Sequence, residues 1–176
     1  MREKDGNPHE GIAIRIDRLK RDYIAFLLIG ASVALVDQIT KGLIIDRFML
    51  HESMEIIPGF FNITYIRNTG GAFGVLAGEA SRWRIGLFLA VSCMALGIIL
   101  YLYMRIPRGK TWLDAGLAMT FGGAVGNVID RVRLGEVVDF LDFHVGTLHW
   151  PAFNVADSSI SIGVGIFCFY LIFKKI

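Results

Sequence analysis

Phe153-Asn154-Val155-Ala156-Asp157-Ser158-Ser159-Ile160-Ser161-Ile162-Gly163-Val164-Gly165-Ile166-Phe167-Cys168-Phe169-Tyr170-Leu171-Ile172-Phe173 passes from a polar loop into an apolar run with one acid near its start. A helix of about 20 apolar residues crosses a bilayer, so residues 155–173 read as a span closed by Lys174-Lys175. Asp157 then stands at a membrane boundary, where desolvating an ionisable group is costly and invites a functional explanation. A second acid, Asp139, lies in Gly135-Glu136-Val137-Val138-Asp139-Phe140, just past the preceding apolar run. Antiparallel helices joined by the intervening loop bring both acids to one depth.

Three earlier runs read the same way, at about 23–45, 83–103 and 112–132. The 176 residues are 54% hydrophobic and 19% charged, with mean hydropathy +0.54. A soluble domain of this size carries more charge and less apolar content. The net charge of +2 is small and offers no nucleic-acid reading. Cys93 and Cys168 fall inside apolar runs and read as free thiols used as small hydrophobes. A cleaved leader is a rival reading of the first run, since Ala31-Ser32-Val33-Ala34 is small. The run continues past that point and further spans follow, so an uncleaved span is expected.

Residues 46–80 differ in kind. The stretches 54–57 and 60–66 are β-branched and aromatic, with Pro58-Gly59 between them as a turn signal. Phe61-Asn62-Ile63-Thr64-Tyr65 alternates as a half-buried strand does. A small β element on the outer membrane surface is expected, followed by a flexible loop over residues 68–74. Residues 134–153 read as a polar outer loop carrying Asp139, Asp142, His144 and His149. The N-terminal tail 1–21, the basic turn 105–110 and the C-terminus hold most of the Lys and Arg. Four spans put all three on one side, which the positive-inside rule makes cytoplasmic. Trp83, Tyr101, Tyr103, Trp112 and Trp150 fall near span ends, as interfacial aromatics do. Gly122 and Gly126 have the spacing that allows close helix approach.

Two carboxylates a few ångströms apart cannot both ionise easily. One keeps a proton while the other serves as base, and the pair titrates as a unit. Asp157 has a second reading, because Asn154 followed by Asp157 resembles an N-cap with an acidic N3 residue. The residues alone leave cap and catalyst equally placed. Asp139, among valines and Phe140, has no such local explanation, and its rival reading is a surface-loop acid. Asn127 and Arg131 could offer donors to a substrate carbonyl. Asp130 could pair with Arg131, Arg133 or a neighbouring span, and is a lesser catalytic candidate. Asp142 is another, with the rival reading of an exposed loop acid. Asp37 and Lys41, at i and i+4, can pair on one helix face. The histidines are scattered, so no metal site is expected. No Gly-x-Ser-x-Gly marks Ser158 or Ser159 as a nucleophile.

Five blocks together resemble a known family. They are Asp37-Gln38-Ile39-Thr40-Lys41, Asn68-Thr69-Gly70-Gly71-Ala72-Phe73, Gly122-Gly123-Ala124-Val125-Gly126-Asn127-Val128-Ile129-Asp130-Arg131, Val137-Val138-Asp139-Phe140 and Phe153-Asn154-Val155-Ala156-Asp157-Ser158. In this order on a four-span chain they resemble the bacterial lipoprotein signal peptidases (signal peptidase II). Gly71 stands where many relatives have alanine. The resemblance implies an all-α membrane protein of four transmembrane helices, with a small periplasmic β-cradle between helices 1 and 2. It implies one peptidase domain over residues 22–176, with a flap loop at about 134–153.

It also implies an aspartyl endopeptidase of the inner membrane, with both termini cytoplasmic and the site near the outer face. The enzyme would cut diacylglyceryl-modified prolipoproteins before the lipidated cysteine. Asp139 and Asp157 match the catalytic dyad. Asn68, Asn127, Arg131 and Asn154 match the substrate-holding positions, and Asp37, Lys41 and Asp130 match structural ones. No metal or cofactor is needed, membrane lipid is a partner, and a monomer is expected. The competing class is a small ion- or proton-coupled transporter using Asp37, Lys41, Asp139 and Asp157 as a relay. A glycine-packed membrane scaffold is a third idea, which leaves the acids unexplained.

Overall fold

The computed structural model describes residues 8–70, 82–106 and 111–173. The first seven residues of the tail, Gly71-Ala72-Phe73-Gly74 of the loop, residues 107–110 of the basic turn and Lys174-Lys175 lie outside the described residues. The chain runs α1 (Pro8–Arg47), β1 (Ser53–Ile57), β2 (Phe61–Asn68), α2 (Arg82–Arg105), α3 (Thr111–Leu134), β3 (Val137–Val145), β4 (Leu148–His149) and α4 (Val155–Phe173). The helix α4 has the expected ends, and α2 and α3 extend theirs by one or two residues. The first span does not begin near Tyr23. Its apolar stretch opens at Leu19, and the helix runs back through the basic tail to Pro8. Proline suits the first helical position, where its missing N–H costs nothing.

Among the described residues, three helices are long and apolar enough to cross a membrane: Leu19–Arg47, Trp83–Arg105 and Val155–Phe173. Their outward faces carry exposed apolar side chains, among them Leu27, Leu28 and Leu35 on α1, Met94 and Ile98 on α2, and Leu171 and Ile172 on α4. Cys93 and Cys168 are free and exposed on α2 and α4. The third helix, α3, lies inside the bundle and carries ten buried residues, three of them polar (Thr120, Asn127 and Asp130) and four of them glycines.

Glycines set the helix approaches. A Cβ at Gly122 would collide with the backbone of Gly30, and one at Gly126 would lie 2.5 Å from Asp37 Oδ2. These contacts make α1 and α3 parallel neighbours. Gly123 abuts the Ala156 carbonyl and Gly116 faces Gly163, so α4 packs antiparallel to α3. Tyr103 near the end of α2 bonds the Asp22 carbonyl at 2.9 Å, and Arg131 lies over Phe88, so α2 opposes both α1 and α3. Tyr103 is therefore not an interfacial aromatic. It is 2% exposed and stacks on Phe26 at 4.0 Å, inside the core that Leu113, Leu117 and Ala118 complete.

This winding gathers the ends of α1 and α3 and the starts of α2 and α4 at one end of the bundle. The strands form there, in the antiparallel order β1-β2-β3-β4. The expected β element is thus only half of the sheet. Residues 137–149 are not a loop but a strand and a short return, with Phe61 paired to Phe143, Ile66 to Asp139 and Asn68 to Val137. A two-stranded hairpin alone is marginal, and β3 supplies the third strand that buries its face. Gly135, at φ +76°, ends α3 and turns the chain into β3, its N–H donating to the Arg131 carbonyl. Ile44, Tyr65, Val138 and Phe140 form a second core between the sheet and the helices.

Candidate active site

Asp139 comes from β3 and is 3% exposed. Strand alternation turns it away from Val138 and Phe140, which pack into the second core, and toward the start of α4. Asn154, fully buried, is the N-cap of that helix. Its Oδ1 accepts the Asp157 backbone N–H at 2.9 Å. Its Nδ2 donates to Asp139 Oδ1 at 2.7 Å and to the Val138 carbonyl at 3.1 Å. Asn68 Nδ2, from the end of β2, donates to Asp139 Oδ2 at 3.1 Å. The cap therefore belongs to Asn154, and the Asp157 side chain turns elsewhere. It accepts Asn127 Nδ2 from α3 at 2.8 Å.

The two amides are themselves linked, Asn154 Nδ2 lying 3.4 Å from Asn127 Oδ1. Asn127 Oδ1 also accepts Lys41 Nζ at 3.0 Å. An ammonium can only donate, which assigns the oxygen of Asn127 to that side. Lys41 completes its three donors with Asp37 Oδ2 and Asp130 Oδ2, each at 2.8 Å. Asp37 Oδ1 accepts the Ala156 N–H at 2.9 Å, and Asp130 Oδ2 accepts the Val138 N–H at 3.1 Å. The ion cluster thus pins the first turn of α4 and the start of β3, the two segments that carry the acids.

Burial in this setting raises the Asp139 carboxyl from its ordinary value to about 7. Desolvation is the largest cause, and the neighbouring charge of Asp157 adds to it. The amides of Asn68 and Asn154, and the more distant Lys41, pull the other way.

Asp139 and Asp157 open into one cavity of about 500 Å³. Asn68, Asn127 and Arg131 line its polar side, and Arg131 also rests on the Phe88 ring at 5.6 Å. Trp150, Pro151, Ala152 and Phe153 line the cavity from the segment before α4, and Ile160, Ser161 and Ile162 line it from α4 itself. Two carboxyls facing one space, one of them raised to about 7, can exchange protons with a bound molecule and water.

Of the residues singled out from sequence, Asn68, Asn127, Arg131, Asp139 and Asp157 meet at the cavity. Asn154 lies directly behind it. Asp37, Lys41 and Asp130 form the buried cluster beneath, with Asp130 paired to Lys41 rather than to Arg131 or Arg133. Asp142 is neither exposed nor at the cavity. It is 8% exposed and held by Asn62 at 3.0 Å and His149 at 2.8 Å. Gln38 was not singled out, yet its amide donates to Asp130 Oδ1 at 2.8 Å and to the Gly126 carbonyl at 3.1 Å. Its only mark in the sequence is a polar residue beside Asp37 in an apolar run.

Residues 29–173 match the family described as signal peptidase (SPase) II. A lipoprotein signal peptidase of Desulforapulum autotrophicum is 49% identical over 156 residues, covering 89% of this chain and 96% of the relative. One of Syntrophus aciditrophicus is 48% identical over 146 residues, 83% of this chain and 91% of the relative. A solved structure described as a bacterial membrane enzyme superposes with a TM-score of 0.76 at 35% identity, covering 86% of this chain and 92% of that one.

Proposed function

The chain belongs to the signal peptidase II family, and from that premise we propose that it is a membrane-embedded aspartyl endopeptidase acting on prolipoproteins. Its substrate carries a diacylglyceryl group on the lipobox cysteine, and the bond cut is the peptide bond before that cysteine. The observation that carries the aspartyl reading is the convergence of Asp139 and Asp157 on one cavity, each held by one of two linked amides.

Asp139, neutral below about pH 7, donates its proton to the scissile carbonyl oxygen. Asp157 takes a proton from water as the water oxygen attacks the carbonyl carbon. Asp157 then passes that proton to the cysteine nitrogen as the C–N bond breaks. Asp139 recovers its own from the collapsing diol, so the dyad ends as it began. Arg131 and Asn68 offer donors along the substrate backbone. Metal and cofactor have no part in this scheme.

The same reading extends to topology. At 1.5 Å per residue, the 24 residues of α3 reach about 36 Å, enough to span as a fourth, internal helix. The basic tail and the 105–110 turn place the opposite end of the bundle in the cytoplasm. The sheet and the dyad then face outward in the inner membrane, where water and a lipid-anchored bond meet. Residues 22–176 act as one domain, the β3–β4 hairpin borders the substrate cavity as its flap, and the enzyme works as a monomer in contact with membrane lipid. The transporter reading has no support from the relatives named above, which are lipoprotein signal peptidases.

The test is a gel-shift assay of purified protein on diacylglyceryl-modified prolipoprotein and on its unlipidated form. Wild type should shorten only the lipidated form, and Asp139→Asn and Asp157→Asn should each abolish turnover while remaining folded. Near-normal cleavage by either folded variant removes that residue from the dyad.

A further inference from the structure

Lys41 lies on α1, 2% exposed and outside the cavity lining. An ion pair with Asp37 and Asp130 would by itself use two of its three N–H donors. The third goes to Asn127 Oδ1 at 3.0 Å, and the other end of that amide meets Asp157 Oδ1 at 2.8 Å. An asparagine amide has two orientations of nearly equal shape. In the reversed one, the Asn127 NH2 would face the ammonium and its oxygen would face the Asp157 carboxylate, and both contacts would repel. A donor-only group behind Asn127 therefore decides which end Asp157 meets.

We propose that Lys41 is a positioning residue of the reaction, holding the Asn127 N–H on Asp157 Oδ1 and so fixing the direction in which the Asp157 carboxyl faces the cavity. The proposal rests on the aspartyl peptidase reading above. The charged groups around this line are Asp37 on α1, Asp130 and Arg131 on α3, Asp139 on β3 and Asp157 itself on α4. Asp139 takes its amide donors from Asn68 and Asn154 instead, and Lys41 reaches it only through its more distant charge.

Replacing Lys41 by methionine alone would leave Asp37 and Asp130 facing each other. The test variant is therefore Lys41→Met with Asp37→Asn, which keeps the formal charge of the buried cluster at its wild-type value. Its kcat on lipidated prolipoprotein should fall about 10²-fold, the scale of one lost oriented donor, with KM little changed. Its pH profile should also move, because the Asn127 N–H is no longer held on the Asp157 carboxyl. A second measurement needs only the wild type. With asparagine labelled in 15N, the Asn127 side-chain NH2, identified by its loss in Asn127→Ser, should show a nuclear Overhauser contact to Asp157 and none to Lys41.

A folded double variant with kcat within about threefold of wild type overturns the proposal. So does a wild-type Asn127 NH2 whose contact is to Lys41 rather than to Asp157, and this reading decides the matter if the double variant does not fold. Absence of cleavage by wild type would instead defeat the peptidase reading itself, so the two failures are distinct.

Discussion

Replacing Asn154 removes three contacts with separable costs. Its Oδ1 caps α4, and its two Nδ2 hydrogens reach Asp139 Oδ1 and the Val138 carbonyl. Loss of the cap costs about 1 kcal/mol. The bond to a carboxyl group, when that group is charged, adds about 1.5–3 kcal/mol, and the neutral bond to Val138 about 1 kcal/mol. Asn154→Ala should therefore destabilise the protein by roughly 3–5 kcal/mol. Asn154→Ser restores a capping oxygen but neither donor, so it should recover only about 1 kcal/mol of that loss. Reversible unfolding in detergent, followed by tryptophan fluorescence, measures the difference. The same bond lowers the Asp139 pKa, so its removal should push Asp139 above about 7 and carry the alkaline limb of activity upward. An alanine variant within 1 kcal/mol of wild type, with that limb unmoved, would refute the claim that one side chain serves both helix and dyad.

Other outcomes follow from the same geometry. Activity should decline as pH rises through about 7, because Asp139 then loses the proton it donates, and a pH–rate profile checks this. The stability share of Asp139 has the matching sign: a raised folded-state pKa stabilises fully below the ordinary carboxylate value, and that share is gone once pH passes about 7. Gly123→Ala should destabilise by about 1–3 kcal/mol, since its Cβ meets the Ala156 carbonyl across the α3–α4 contact. Gly86→Ala, with nothing within 4 Å of its Cβ, should instead stabilise α2 by about 0.5–1 kcal/mol in the same thermal unfolding series.

Local pattern was enough for the helices and the first hairpin. Long apolar runs mark α2, α3 and α4 to within two residues, and Pro58-Gly59 marks the β1–β2 turn. The strand β3 was hidden for a physical reason. Asp139, Asp142 and His144 make residues 134–153 look like solvent-facing loop, and their burial depends on β2, some 75 positions away in sequence as Asn62 and Asp142 illustrate with a separation of 80. Asp37 and Lys41 were readable as an i, i+4 pair, whereas the third partner Asp130 required knowing that α1 and α3 run parallel. The acids and amides of the site were visible because polar residues stand out in apolar surroundings. The cavity walls at 150–153 and 160–162 were not, because an apolar side chain lining a cavity looks like one lining a core. Tyr103 misled in the same way, its hydroxyl suggesting an interface when it serves a buried carbonyl.

The bond from the Ala156 N–H to Asp37 joins residues 119 positions apart and draws the last helix onto the first. Translation delivers Asp37 early and Asp157 only near the end of the chain. Until that final segment enters the bundle, the nascent polypeptide has one acid of the pair and half of its amide chain. On the aspartyl reading proposed above, the dyad is therefore complete only once the last helix packs onto the first, so assembly of the bundle and assembly of the site are one event.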